Sequence, residues 1–411
     1  MEEWKEFRIE DIADVVGGGT PSSKIDEYWN GKISWITPND LSGYFFKTIT
    51  IGSRNITKIG LQKSSAKLHP INTVLFTSRA PIGYMAIAKT KVATNQGFQS
   101  LRCKSELADY NFIYYYLTIY RDAIASIASG ATFPEISGKK LKQFKVSIPP
   151  LPTQRKIATI LSAYDDLIEN NLKRIKLLEE MAQNEFNEWY ANNEDFEEVN
   201  LGSIIGHEIG GGWGAEEQSE EFNKPAFVIR GTDIDELPNG KLEKVPFRFH
   251  KISNLASRKL QDGDIIFEVS GGSSYEGVAK TLLVTDELLK QFDNAVMPAS
   301  FCKLARPIER KYSSFLFLFW RFLREIKGTE VFEIRSASNI VNYNWTAFLK
   351  FQKIKKPSET KLEKFNRIVE PIYKQVYNLG NQNQRLKEAR DILLPRLMTG
   401  MIDVNKIETK L

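Results

Sequence analysis

Two stretches of the chain place mostly apolar residues at alternating spacings of three and four. The first runs through Ile157, Leu161, Tyr164, Ile168, Asn171, Ile175, Leu178, Ala182, Glu185 and Trp189. The second runs through Leu362, Phe365, Val369, Ile372, Val376, Leu379, Asn383, Leu386, Arg390, Leu393 and Leu397. Sustained spacing of this kind predicts long helices that pair along a seam. Asn171 and Asn383 interrupt the two seams, and a polar seam residue gives up stability to fix register. Pro149, Pro150 and Pro152 precede the first helix, with Thr153 as its expected N-cap. Pro357 and Ser358 precede the second, where Thr360 and Glu363 read as a capping box. Pro371 falls inside the second pattern and is expected to kink it.

The stretches flanking the first helix repeat each other. WKEFRI at 4–9 answers FEEVNL at 196–201, and Gly17-Gly18-Gly19 answers Gly210-Gly211-Gly212. WITPNDL at 35–41 answers VIRGTDI at 228–234, and FIYYYL at 112–117 answers FLFLFW at 315–320. Leu141, Phe144 and Pro150 match Phe348, Phe351 and Pro357 at a constant offset of 207. Segments 73–77 and 264–269 read as strands after turn residues, and 109–127 and 311–327 as aromatic-rich helices. The expected class is α+β. Two similar mixed α/β domains are separated by two long helices that pair as an antiparallel coiled coil, with pseudo-twofold symmetry. The predicted boundaries are 1–150 and 196–356 for the domains, and 151–195 and 357–411 for the helical regions. The 411 residues therefore read as one unit of about 200, duplicated.

Composition narrows the function classes. No segment reaches the ~20 apolar residues of a membrane span, and the start of the chain lacks an apolar signal core, so a cytoplasmic protein is expected. Cys103 and Cys302 are too few for a disulfide framework or a zinc set. The formal charge of +5 divides by segment into +6 for 1–150, −4 for 151–195, zero for 196–356 and +3 for 357–411. Charge alone supports polyanion binding only in the first domain. In the second, Glu216, Glu217, Glu220 and Glu221 crowd together, while Arg248, Lys251, Arg258 and Lys259 cluster elsewhere in sequence and could form a basic face.

Catalytic chemistry finds no foothold. The one Pro-Pro pair, Pro149-Pro150, lacks the preceding Asn or Asp and following aromatic that hold a flipped adenine. No phosphate loop of the form GxxxxGK[ST] occurs. His69, His207 and His250 are far apart in sequence and read as surface or turn residues. The glycine triplets read as turn glycines.

These features together resemble the specificity subunit of type I restriction–modification systems. The residues that carry the resemblance are GGGTPS at 17–22, WITPNDL at 35–41, ATNQG at 93–97, SGATFPEI at 129–136 and IPPLP at 148–152. The helical stretches 170–180 and 383–403, including LLPRLMTG at 393–400, complete it. The second half departs: Gly212-Trp213-Gly214 stands where the first half has Gly-Thr-Pro, and SASNI at 336–340 replaces the SGATF run.

The resemblance implies a non-catalytic reader of double-stranded DNA with two target recognition domains and no cofactor of its own. Two methyltransferase subunits would carry S-adenosylmethionine, and two restriction subunits ATP and magnesium. Each domain would take one half of a bipartite target with a fixed gap. A helix from Ile157 to Trp189 spans roughly 50 Å, so reading heads about one DNA turn apart, ~34–36 Å, are within reach. A coiled-coil scaffold that binds only protein is the alternative.

Candidate DNA contacts are polar residues near the repeated motifs. In the first domain they are Lys24, Lys32, Asn39, Arg54, Arg79, Asn95, Gln96 and Lys139. In the second they are Arg230, Thr232, Arg248, Lys251, Arg258 and Ser270. The expected seam sets Leu161, Tyr164, Ile168, Asn171, Ile175 and Leu178 against Val369, Ile372, Val376, Leu379, Asn383, Leu386 and Leu393. Arg155, Lys173, Arg174, Arg385, Arg390 and Arg396 are candidates for docking a methyltransferase subunit.

Overall fold

A computed structural model describes residues 4–130, 134–193, 196–271, 277–335 and 340–406. It is α+β and divides into two compact units, Met1–Glu169 with Leu386–Leu411, and Asn170–Arg385.

Each unit is built on one plan. In the first, Lys5–Arg8 pairs antiparallel with Lys145–Ile148. A five-stranded sheet follows the order Ala13–Gly17, Gln99–Cys103, Val74–Phe76, Met85–Ala88, Thr48–Ile49. A second sheet follows the order Arg54–Ile56, Trp29–Ile36, Val92–Thr94, Leu68–His69, and its two central strands are parallel. In the second unit Glu197–Asn200 pairs with Lys353–Lys356. The larger sheet there is Ile205–Gly210, Cys302–Pro307, Ile265–Glu268, Thr281–Leu283. Another is Phe247–His250, Lys224–Ile229, Ala295–Pro298, again with one parallel pair, and a small antiparallel sheet of Ser270–Gly271, Val341–Tyr343 and Glu333–Arg335 is added in this unit. The predicted duplication is thus a duplication of topology.

Individual hydrogen bonds repeat with it. Gly18 N donates to Phe98 O and Gly19 N to Thr94 O, as Gly211 N does to Cys302 O and Gly212 N to Pro298 O. These glycines are not turn glycines chosen for left-handed backbone. They are close-approach glycines: a Cβ on Gly18 would lie 2.0 Å from the Asn95 carbonyl oxygen, and one on Gly211 2.1 Å from that of Ala299. Late in each unit the sequence register slips by one residue. Ile9 N donates to Phe144 O, whereas Leu201 N donates to Gln352 O rather than to Phe351.

The cores follow from the apolar runs. Helix Ser313–Glu325 is buried on almost every side because seven of its residues from Ser314 to Trp320 face other elements of its unit. The corresponding stretch of the first unit is two helices, Tyr110–Ile119 and Arg121–Ser126, split at Tyr120 instead of one continuous helix.

The long helices are Leu151–Ala191 and Glu359–Met398, each about 60 Å long. Their ends differ from expectation. The first begins before Thr153, with Thr153 N and Gln154 N both donating to Pro150 O, so Thr153 is not the cap. The second begins at Glu359, and Thr360 lies inside it, with Leu362 N donating to Ser358 O. Pro371 sits within an unbroken helix. The two run antiparallel. In the second unit Asn171 Nδ2 donates to Gln382 Oε1 at 3.4 Å, Ile175 packs with Val376 and Leu379, and the Trp189 ring stacks on Phe365 at 4.4 Å. In the first unit Asp165 meets Arg390, and Leu161 shares a core with Leu393 and Leu397. Phe186, fully buried, takes the seam position expected of Glu185.

Candidate nucleic-acid interface

In the first unit, five loops converge at the ends of the two sheets. Gly19 N bonds Thr94 O, and the Thr20 hydroxyl bonds the Gln96 side chain. Asn95 N donates to Ile36 O, which brings the 94–97 turn against the turn at Pro38–Leu41. Ser78 N donates to Gly97 O, and Ile136 N donates to Ser78 O. The chain order 17–20, 37–41, 78–81, 94–97 and 135–139 is thereby gathered at one place. Asn39, Arg79, Asn95 and Gln96 lie on these loops, and Lys139 lies in the first turn of the helix Gly138–Gln143 that follows the last of them. Asn39, Arg79, Gln96 and Lys139 are exposed, while Asn95 is half-buried with its Oδ1 accepting from Gly97 N at 2.9 Å. Asp40 shapes the second loop. Burial opposes its charge, but hydrogen bonds from Thr37 and Ser53 outweigh burial and hold its carboxyl below the usual range.

Two tryptophans hold the glycine loop from its own unit. Trp35 Nε1 donates to Gly19 O and Trp29 Nε1 to Ser22 O, each at 3.0 Å. The Arg54 guanidinium lies 3.6 Å from the Trp29 ring centroid, so this candidate is stacked as well as exposed. Lys24 and Lys32 are exposed on the same loop and strand.

The second unit repeats the plan with different side chains. Ala299 N donates to Ile229 O, as Asn95 N does to Ile36 O. Arg230 N donates to Asp233 Oδ2 at 2.9 Å, as Thr37 N does to Asp40 Oδ2 at 2.7 Å. Thr232 is therefore the counterpart of Asn39, and both are exposed. Arg230, proposed from sequence as a DNA contact, spends its guanidinium on Asp233 at 2.9 and 2.8 Å and on Lys244 O. Arg258 donates to Gly210 O at 2.8 Å and is half-buried.

Of the four bases that could form a basic face in the second unit, two are neutralised by acids. Arg248 pairs with Glu216 at 2.8 Å and lies 5.0 Å from the Trp213 ring, and Lys251 pairs with Glu221. Acids and bases separated by about thirty residues in sequence interleave across a strand edge and neutralise one another.

Two of the three histidines are also not at the surface. His69 is fully buried beside Thr94, and its pKa is lowered to about 4 by burial and then by Arg102. His250 is buried and likewise lowered by burial, then by Arg258. Neither feature shows in local sequence. The Cys103 thiol is pushed up to about 12 by burial and by Asp109, which leaves it unreactive. Among the described residues no group of three or more His, Cys, Asp or Glu side chains is placed to hold a metal ion. Residues 131–133 of the SGATF run and 336–339 of its counterpart lie outside the described residues.

On the helices, Arg155, Lys173, Arg174, Arg385 and Arg396 are exposed. Arg390 is not part of that face. It bonds Asp165 at 2.5 Å, and Asp165 also accepts from the Tyr115 hydroxyl.

Comparison with known proteins agrees with this geometry. The type I restriction modification DNA specificity domain matches residues 1–180. The MjaIX specificity subunit of a type I restriction enzyme from Methanocaldococcus jannaschii is 33% identical, and the alignment covers 98% of this chain and 95% of that one. The chain belongs to the type I restriction-enzyme specificity-subunit family. Another relative of this family member is the EcoR124I/EcoR124II specificity subunit of Escherichia coli, 29% identical over 46% of this chain and 47% of that one. The crystal structure of the S subunit from M. genitalium shares the fold, with a TM-score of 0.60 over 96% of both chains at 16% identity. Among the described residues no helix is long and apolar enough to cross a membrane.

Proposed function

We propose that this chain is the DNA-reading subunit of a type I restriction–modification assembly and performs no chemistry itself. The observation that carries this reading is the loop constellation built twice on one scaffold, with different side chains in the two copies. A single reader needs one such set, whereas two unlike sets suit two unlike half-sites. The continuous helices, each about 60 Å long, would fix the gap between the half-sites. Exposed Arg155, Lys173, Arg174, Arg385 and Arg396 would dock two methyltransferase subunits holding S-adenosylmethionine. Two restriction subunits would bring ATP and magnesium, and the assembly would work in the cytoplasm. Lysines and arginines of the loops would set position on phosphates, and a few polar side chains would read base edges.

The test is binding of the assembled complex to duplex DNA across a salt series. A complex using six to ten phosphate contacts loses roughly 10³- to 10⁵-fold in affinity between 50 and 200 mM salt. Binding that ignores both salt and DNA would instead make the chain a protein scaffold.

A further inference from the structure

We infer that one structurally equivalent pair of side chains in each unit sets the base preference of its half-site: Arg79 with Glu135 for guanine, and Ser270 with Asn342 for adenine. This rests on the DNA-reading role proposed above and names the chemistry that each half recognises.

The equivalence comes from backbone bonding. In the first unit Ser78 N donates to Gly97 O and Ile136 N to Ser78 O. In the second, Val269 N donates to Phe301 O and Tyr343 N to Val269 O. One residue further along, Arg79 bridges Glu135 across an antiparallel contact, and Ser270 pairs with Asn342 in the same sense. The two pairs thus occupy one position of the duplicated plan, at the mouth formed by the converging loops. Both face outward: the Arg79 side chain is 47% exposed, and Asn342 is exposed.

The chemistry of the two pairs differs. Glu135 takes the Nε edge of Arg79 at 3.1 Å. A guanidinium held at Nε still presents its terminal N–H groups as a planar fork, which matches guanine O6 and N7 in the major groove. In the other unit the Ser270 hydroxyl donates to Asn342 Oδ1 at 2.7 Å and sets the amide plane. Nδ2 can then donate to adenine N7, while the second lone pair of Oδ1 accepts from adenine N6. In each pair one residue buttresses and the other reads. Arg79 and Ser270 stand out in the sequence as polar residues near the repeated motifs, whereas Glu135 and Asn342 join them only through strand pairing. Asn342 lies 207 residues after Glu135, the same offset that joins Leu141 to Phe348.

The experiment selects bound duplexes from a randomised library, using the chain assembled with its methyltransferase subunits. Arg79→Ala should abolish a guanine preference of about 5- to 150-fold at one position of one half-site. Asn342→Ala should do the same for an adenine in the other half-site. The double exchange Ser270→Arg with Asn342→Glu should install guanine there. Arg79→Lys and Asn342→Gln, with thermal unfolding of every variant, separate lost reading from lost folding. Unchanged preferences, or uniform weakening across all sequences, would overturn the inference. A wild-type complex that selects no split motif would overturn the DNA-reading role itself.

Discussion

Arg390→Ala should destabilise the first unit rather than weaken a partner interface. Arg390 donates to Asp165 Oδ1 at 2.5 Å, and the Asp165 side chain is only 11% exposed. The second Asp165 oxygen receives the Tyr115 hydroxyl. Burial works against the charge of Arg390, but Asp165 and then Asp391 outweigh it and hold the guanidinium firmly protonated. Removing the cation leaves a nearly enclosed carboxylate with one hydroxyl donor. Breaking a buried ion pair from one side costs about 3–5 kcal/mol, and the remaining Tyr115 bond puts the expected loss near the low end, about 3 kcal/mol. In a unit of this size each kcal/mol moves the midpoint by about 2–4 °C, so the expected drop is roughly 6–12 °C. Calorimetry of the full chain reads it directly. Asp165→Asn in the Arg390→Ala background should recover much of the loss, because the uncompensated charge is then gone. A drop below about 1 kcal/mol, or additive effects of the two substitutions, would refute the reasoning.

The buried imidazole of His69 gives a pH prediction. Its folded pKa of about 4 lies below the ordinary 6.5, so the unfolded chain binds the proton more readily. Its contribution is present above pH 6.5 and is lost as pH falls toward 4, by about 3 kcal/mol in all. Denaturant titrations from pH 7.5 to 4 should show that fall in the wild type and a flatter profile in His69→Gln. Gly18→Ala and Gly211→Ala should each cost about 2–3 kcal/mol, since the new methyl meets a carbonyl oxygen; equal midpoints in thermal melts would contradict the close-approach reading. Glu216→Gln frees Arg248, and binding of the assembled complex should strengthen with a steeper salt dependence. An unchanged salt slope would show that Arg248 stays off the phosphates.

What the sequence disclosed, and what it hid, divide along the range of the interaction. The paired helices show because Leu161, Ile175, Val376 and Leu379 recur at a period fixed by helix geometry. The duplication shows because Gly18 and Gly211 each meet a carbonyl that tolerates no side chain, so both copies keep glycine. The neutralised bases of the second unit were hidden, because Glu216 and Arg248 lie 32 residues apart and meet only through strand pairing. Arg390 falls on the seam side of the second helix as a charge among apolar positions, and only the antiparallel register shows that Asp165 meets it there. The burial of His69 depends on the sheet formed with Val92–Thr94, which no local pattern announces.

The central claim is that two unlike readers share one chain. Sequencing that maps methylated adenines in cells expressing this chain with its methyltransferase subunit tests it most directly. The account predicts a split motif, with two different short half-sites separated by a gap of constant length. A single continuous motif, or a palindrome with identical halves, would contradict it.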